Sequence, residues 1–500
     1  MKIRHIISKV SLSAILVATM LGSCENFTEV DQKGMNLLSK TTELDLLLNA
    51  QYGLDWQDMG YVCGDVLSST KFLPTALAEP NKSYTEILQS WSEEDHATKL
   101  LGQSTSDGFY ADCYRYIGRI ANPILMQVDA AKGSEEEKKL LKSEALAIRG
   151  YFHFLAAQKY AKPYDKSMAA TELCVPYISE TQGVMDPVVQ QTQQTVYENI
   201  LKDLDKSIDI NGLPAVSQKP GRLCSAFPHA AKAHVLLAMG EYAKAAQAAE
   251  KALEIRGTVN DYKECLETGP SFMGQIATLL VMGPAYEMEE DYFTDNSQNM
   301  LDILITPFNE SMYEDGHYKK DYYPTYANMM KGMYNPMDPE ADLQGFRMNA
   351  EMQYGVPYLS VFDMMGQNNT VGIKSSHMLL ILAECAIAEG NIGKAMRYLD
   401  RLRVKRINPA IYQPLEGNVT EKVEAIKYLK LSAHGEYVYS MWNFFSRKRW
   451  SKIDDYKETF SRELCGQTYT LTPESDLWIF PFPIDLVSIN PNIKQNCNCR

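Results

Sequence analysis

Residues 230–255, AAKAHVLLAMGEYAKAAQAAEKALEI, and residues 376–406, SHMLLILAECAIAEGNIGKAMRYLDRLRVKR, decide the fold. Each holds two apolar-periodic stretches broken at one point, Gly240-Glu241-Tyr242 in the first and Gly390-Asn391 in the second, and so predicts two helices joined by a tight turn. Aligned on the glycine, Ala233, Gly240, Ala245 and Ala252 fall on Ala383, Gly390, Ala395 and Leu402. Steps of seven, five and seven residues are those of tetratricopeptide repeats, where small side chains let antiparallel helices approach and glycine turns the chain. A third stretch, Ser134 to Tyr160, opens with a Ser-x-x-Glu capping box (Ser134, Glu137) and carries Leu141, Ala145, Ile148, Phe152 and Leu155 at alternating steps of four and three, one long amphipathic helix. The expected architecture is mainly α: a helical-repeat scaffold over about 85–260 and 373–450 within a single domain of residues 24–500.

Between the scaffold pieces the composition changes. Cys63–Lys82, Pro163–Val189 and Glu264–Gly372 are rich in Pro, Gly, Asn, Tyr and Met and lack sustained period. Loops longer than about 15 residues are usually functional or disordered, and this aromatic content argues against disorder. The insert at about 264–372 is therefore the first place to look for a binding surface. From Tyr313 to Tyr334 it holds six tyrosines in 22 residues, among them Tyr318, Tyr322, Tyr323 and Tyr326, with Tyr286, Tyr292 and Phe293 upstream. A sugar ring offers an apolar C–H face and an edge of hydroxyls, so aromatic platforms beside Asn, Asp or Arg suit both, and tyrosine gives large area at low entropic cost. The candidate ligand contacts are Trp56, Tyr61, Phe72 and Tyr84 near the N-terminus and Tyr286, Tyr292, Tyr313, Tyr322, Tyr323, Tyr326 and Asn328 in the insert. For any single tyrosine, packing against the scaffold with its hydroxyl outward is the commoner arrangement.

The first residues place Lys2, Arg4 and Lys9 ahead of an apolar run, Val10 to Leu21, that ends at Leu21-Gly22-Ser23-Cys24. This is a signal peptide, residues 1–23, followed by a lipobox. The run is far short of the roughly 20 residues that cross a bilayer, and an acylated Cys24 carries the several chains that stable anchorage requires. Removing residues 1–23 moves the formal charge from -14 to -17. An acidic chain has no electrostatic footprint for nucleic acid. Of ten cysteines nine remain beyond Cys24, at scattered spacings with only Cys497 and Cys499 close together, and no CxxC pair exists. They are expected mostly as buried small hydrophobes, with a disulfide or two open.

Motifs for chemistry are sparse. There is no GxSxG, no GxxxxGK[ST] and no HExxH. His229 and His234 lie five apart, which does not stack two ligands on one helical face. Asp338, Glu340 and Asp342 alternate as a calcium loop would, but position 343, where an EF-hand places glycine, is Leu343. Neither cofactor nor metal is expected, and no catalysis.

Several stretches, in order, resemble the SusD/RagB family, surface lipoproteins of Bacteroidetes that partner a TonB-dependent outer-membrane transporter. Trp91, Tyr110, Tyr114, Ile117 and Ala121-Asn122 follow its W…Y…I…N pattern, and Glu144-Ala-Leu-Ala-Ile-Arg149-Gly-Tyr-Phe-His-Phe-Leu155 looks like its "EA.alRa.yyf.L" signature, with Val175-Pro176 after it. Gly221-Arg222-Leu223-Cys224-Ser225, Leu380-Ile381-Leu382-Ala383-Glu384, and Pro481-Phe482-Pro483-Ile484-Asp485 with Asn490 to Asn496 are similar to later family blocks. In Leu429 to Trp450, Trp442 and Arg449-Trp450 match, whereas the family's acidic-arginine core does not, and Lys374 stands where the family has Arg. The resemblance implies a lipoprotein anchored in the outer membrane and facing the cell exterior, which binds an oligosaccharide and delivers it to a SusC-like TonB-dependent transporter. Peptide binding by the same kind of lipoprotein is the alternative, and an outer-membrane glycan-processing enzyme the second. Glu25, Glu29 and Asp31 after the lipobox fit surface export as the resemblance implies it.

Overall fold

The two glycines turn the chain as their spacing requires. In the computed structural model, which describes residues 38–67, 73–96, 106–183, 185–217, 219, 221–270, 276–280, 289–294, 301–305, 308, 311–322, 359–363 and 369–496, Gly240 and Gly390 adopt left-handed φ of 72° and 76°. Each sits in the same double hydrogen bond: Gly240 N–H reaches Leu237 O and Glu241 N–H reaches Leu236 O, while Gly390 N–H reaches Ile387 O and Asn391 N–H reaches Ala386 O. A residue with a Cβ would be strained there, and the paired bonds satisfy carbonyls that the helix end leaves open. Ala233, Ala245, Ala252, Ala383, Ala395 and Leu402, the small or apolar members of the aligned set, are all buried.

Short helices open the described chain, among them α1 (Thr41–Leu47), α2 (Gln57–Cys63), α3 (Leu73–Ala78), α4 (Tyr84–Gln89), α5 (Gly108–Tyr116), and α6 (Asn122–Gln127), which follows a π-turn at Ile117–Ala121. Then α7 (Glu135–Tyr160) packs on α8 (Gln193–Ile210), α9 (Ala226–Ala238) on α10 (Tyr242–Ile255), and, beyond the insert, α11 (Ser375–Ala388) on α12 (Ile392–Arg403). α8 touches α9, α10 touches α11, and α13 (Lys422–Tyr437) lies on both α11 and α12, so three hairpins form one continuous stack of tetratricopeptide type. α14 (Met441–Trp450) turns back from α13 onto α2.

α7 begins as predicted. Ser134 Oγ accepts from Glu137 N–H at 3.2 Å and Glu137 Oε2 accepts from Ser134 N–H at 2.9 Å, while Glu137 also takes the Thr41 hydroxyl at 2.8 Å and so ties α1 to the cap. The helix departs from the amphipathic expectation after its first turns, being buried on every side from Ser143 to Ala157. The reason is tertiary: α8 covers one flank while α5 and α9 approach others. Its polar residues survive burial through partners. Glu144 receives Arg222 at 2.8 and 2.7 Å and the Leu223 N–H at 3.1 Å, and Arg149 grips Asp203 of α8 with two bonds of 2.7 Å. Gly150 lets α8 come close, since a Cβ there would meet Ile200 O at 3.2 Å.

The insert contributes paired strands and no larger sheet among the described residues: β1 (Leu266–Pro270) with β2 (Ile276–Leu280), β3 (Asp291–Phe293) with β6 (Ile373–Lys374), and β4 (Leu301–Ile305) with β5 (Leu359–Asp363), all antiparallel. The β3–β6 pair is a clasp. It sets Asp291 opposite Lys374, and Asn369 locks it by donating to Asp291 Oδ1 at 2.6 Å and Phe293 O at 2.7 Å while accepting from Gly372 N–H at 2.7 Å. After α14 come a hairpin, β7 (Phe460–Leu464) and β8 (Gln467–Leu471), and the short α15 (Ile484–Ile489). Among the described residues Cys63, Cys113, Cys174, Cys224, Cys265 and Cys385 form no disulfide, and five of these six are buried. Among the described residues no helix is long and apolar enough to cross a membrane.

Candidate ligand-binding surface

Of the residues singled out from sequence, four are core residues. Trp56 and Tyr292 are 1% exposed, Tyr313 5% and Tyr61 7%. Tyr292 donates its hydroxyl to Arg256 O at 2.6 Å, and the Tyr313 ring meets His434 edge-on at 4.7 Å. A packed ring presents no face to a sugar, so these four are corrected from ligand platforms to core: elements distant in sequence cover them. Tyr84 and Tyr322 are half-buried; Tyr84 bonds to the Asp58 carboxyl and Tyr322 lies 5.8 Å from the Tyr318 ring. Phe72, Tyr286, Tyr323, Tyr326 and Asn328 lie outside the described residues, as do Cys24, Asp338, Glu340 and Asp342.

The two aromatic regions do meet at their bases. Trp91, the first residue of the quoted W…Y…I…N pattern, is buried with Nε1 donating to Val62 O at 2.8 Å. Phe308 stands edge-on to Trp91 at 5.9 Å and to Phe460 of β7 at 6.4 Å. Two guanidinium groups complete the knot, Arg462 over Trp91 at 4.2 Å and Arg447 over Phe460 at 4.8 Å, in the range where a desolvated cation–π contact is worth about 2 kcal/mol. Arg447 also donates to Cys63 O at 2.9 Å and Asn443 holds both oxygens of buried Asp65 at 2.9 and 2.8 Å. Residues 56–91, 308–322 and 440–462 are thereby joined.

Beneath the clasp lies a buried ionic cluster. Arg406 donates to Glu436 at 2.6 and 3.2 Å, to Glu290 at 2.9 Å and to Asn260 O at 2.5 Å, with its guanidinium 3.8 Å from the Tyr262 ring centre. Lys374 Nζ stands 3.6 Å from Glu290, and Lys319 Nζ donates to Gly435 O at 2.7 Å. Burial shifts several of the charged groups here. It lowers Lys319 to about 7 and raises Asp291 to about 7, Lys374 only partly opposing the latter; in Glu436 burial is outweighed by Arg406, Lys319 and Lys374, which hold the carboxyl well below its usual range. Every one of these charged groups is buried, and the set braces the neck of the insert. His234, too, is structural: its ring stacks on Trp442 at 4.0 Å, and burial lowers it to about 3. Among the described residues no group of three or more His, Cys, Asp or Glu side chains could hold a metal ion.

A cleft of about 660 Å³ opens between residues 162–168 and 474–479. One wall is the start of the Pro163–Val189 segment. Tyr164 is half-buried with its ring 4.8 Å from that of Tyr197, and Met168 is 49% exposed beside it. The wall is held from behind. Gln193 donates to Lys162 O at 2.9 Å and accepts from Asp165 N–H at 3.4 Å, and Lys448 donates to Ala161 O at 2.6 Å. On the opposite wall Trp478 donates to Thr472 O at 2.9 Å, and Asn496 ties the floor to Phe480 O at 2.9 Å and to Tyr160 O. The rim carries Lys162, Lys166 and Lys452 against Asp165, Glu172, Glu474 and Asp476. Sequence reading placed the first wall in a candidate loop and missed the second, because nothing local brings 474–479 to it.

Residues 40–235 match the SusD-like family described as starch-binding and associating with the outer membrane. Curated proteins yield no match. Among solved structures the chain is similar to a SusD superfamily protein of Bacteroides thetaiotaomicron, at TM-score 0.59 and 18% identity over 91% of this chain and 99% of that one. It is also similar to a putative sugar binding protein of Bacteroides vulgatus, at TM-score 0.58 and 20% identity over 92% and 98% of the two chains, and to a SusD-like protein of Bacteroides fragilis, at TM-score 0.54 and 15% identity over 92% and 97%. The chain has the SusD fold along its length, and its residues 40–235 match the SusD-like family.

Proposed function

We propose that the protein binds a glycan at the outer-membrane surface and passes it to a partner TonB-dependent transporter, doing no chemistry on it. The observation that carries this reading is the match of residues 40–235 to a family described as starch-binding and outer-membrane-associated. The lipobox at Cys24 supplies the tether, and the acids that follow it, Glu25, Glu29 and Asp31, agree with export to the outer face. Ligand contact is assigned to the aromatic insert, with Tyr322, Tyr323 and Tyr326 as stacking residues.

The test is a titration of the purified mature chain, residues 25–500, with neutral gluco-, manno-, xylo- and galacto-oligosaccharides and with random peptides. Binding of at least one oligosaccharide, weakened on combining Tyr322→Ala, Tyr323→Ala and Tyr326→Ala and without release of new reducing ends, is the expected result. Binding of peptides alone, or turnover of a bound glycan, overturns it.

A further inference from the structure

No described residue of the aromatic insert lines the cleft between residues 162–168 and 474–479, and the cleft's make-up is selective. We propose that it is a second saccharide site, taking one or two units of a neutral glycan, alongside the site on the insert; this rests on the glycan-binding reading above. Its volume of about 660 Å³ lies inside the roughly 300–1,000 Å³ range of ligand clefts. Three features argue for the ligand class.

First, Tyr164 and Met168 both line the cleft and give it apolar surface of the kind the C–H face of a pyranose packs against. Second, the rim carries both signs of charge, three lysines against four acids. A sugar hydroxyl donates to a carboxylate and accepts from an ammonium, so a neutral polyol uses both, whereas a polyanion or polycation would meet its own sign in each direction. The Lys162–Glu172 contact at 3.0 Å and the Lys166–Glu241 contact at 3.0 Å keep the flanking lysines neutralised. Third, the cleft is pre-formed. Gln193, fully buried, pins the backbone of Lys162 and Asp165, and Lys448 pins Ala161, so the wall does not have to be ordered when a ligand arrives.

The experiment uses the mature chain, the same neutral oligosaccharide panel and an oligogalacturonate, read by calorimetric stoichiometry and affinity. The parent is expected to bind a neutral probe at two sites. Tyr164→Ala should weaken one of them by about tenfold or more and leave the other, Tyr164→Phe should retain both, and the combined Tyr322, Tyr323 and Tyr326 alanine variant should retain the Tyr164-dependent site alone. A parent that binds at one site insensitive to Tyr164→Ala overturns the second site and leaves glycan binding standing. A Tyr164-dependent site that prefers oligogalacturonate overturns the ligand class. No binding of any neutral probe by the parent sinks both readings together. An unchanged melting temperature in Tyr164→Ala excludes unfolding as the cause of a loss.

Discussion

The ionic cluster under the β3–β6 clasp makes a prediction with a magnitude. Replacing Arg406 by Met keeps much of the volume and removes the guanidinium, leaving Glu436 and Glu290 buried with Lys319 and Lys374 as nearby cations. Each contact near 4 Å is worth about 4 kcal/mol of attraction at an effective dielectric near 20, part of it offset by desolvation. Breaking a buried pair by removing one partner costs about 3–5 kcal/mol. We expect about 4 kcal/mol for Arg406→Met and about 2–3 for Glu436→Gln, which keeps the Arg406 contact to Glu290. The double variant should lose about 4 rather than the sum, because its second substitution removes the stranded carboxylate. At about 2.1 cal/mol/K of unfolding entropy per residue, a chain of this length has roughly 1 kcal/mol/K, so Arg406→Met lowers the calorimetric midpoint by about 4 °C. The surface pair Arg397–Glu416, at 2.7 Å, is the control: Arg397→Ala should leave the midpoint where it was. Additivity of the two buried substitutions to within about 0.5 kcal/mol would show that Arg406 and Glu436 are not coupled and would refute the reasoning.

Gly372 and Gly393 test the packing at single atoms. A Cβ at Gly372 would lie 1.6 Å from Phe293 O, so Gly372→Ala should break the clasp and lower the midpoint, whereas Gly393 in α12 has nothing within 4 Å and Gly393→Ala should raise stability by up to about 1 kcal/mol, both read by thermal melts. Gly240→Ala, at φ 72° in the hairpin turn, should destabilise by about 1 kcal/mol although space is open there; an unchanged urea midpoint would count against a left-handed requirement. Acid should unfold the protein through its histidines. Burial lowers His153, His234 and His317 to about 3 and holds His377 well below its ordinary value, so their stabilisation is present above the unfolded value near 6.5 and is lost as pH falls below it. Asp291 opposes: raised to about 7, it favours the folded state below the ordinary aspartate range and loses that contribution as pH rises through 7. The net expectation is a midpoint that drops between pH 6.5 and 5, with His234→Phe, which keeps the stack on Trp442, flattening the slope by one proton; an identical slope in that variant argues against a neutral buried His234.

What was legible in the sequence was what is decided locally. The glycine-turned hairpins and the Ser134 cap are closed within a few dozen residues, and their periodicity, small residues and turn chemistry all agree. Glu144 and Arg149 stand in a quoted family block, yet their partners Arg222 and Asp203 lie 78 and 54 residues away, and nothing in the block names them. In 429–450 the family's acidic-arginine core reads as lost. The structure shows that Glu436 still meets an arginine, Arg406, supplied 30 residues upstream from the end of α12. The aromatic candidates divide for the same reason. Tyr292 and Tyr322 look alike in sequence, but Tyr292 sits on the strand that closes the clasp and Tyr322 at the end of a surface turn, so one is core and the other is half-open. The cleft escaped because its far wall, 474–479, joins the near wall through Lys448, Asn496 and the end of α7.

The knot that joins 56–91 to 440–462 has a kinetic meaning. Asn443 reaches Asp65 across 378 residues, Arg447 reaches Cys63 across 384 and Arg462 reaches Gln89 across 373. Contacts of such sequence separation must be closed at the end of folding and slow it, because loop entropy is spent before they reward it. During N-to-C synthesis or export, Asp65, Trp91 and the apolar faces of α2 and α4 emerge long before the arginines, asparagine and phenylalanine that cover them. Residues 40–235 are thus a recognisable stretch of sequence without being a self-sufficient folding unit, and expressed alone they should aggregate through that uncovered face.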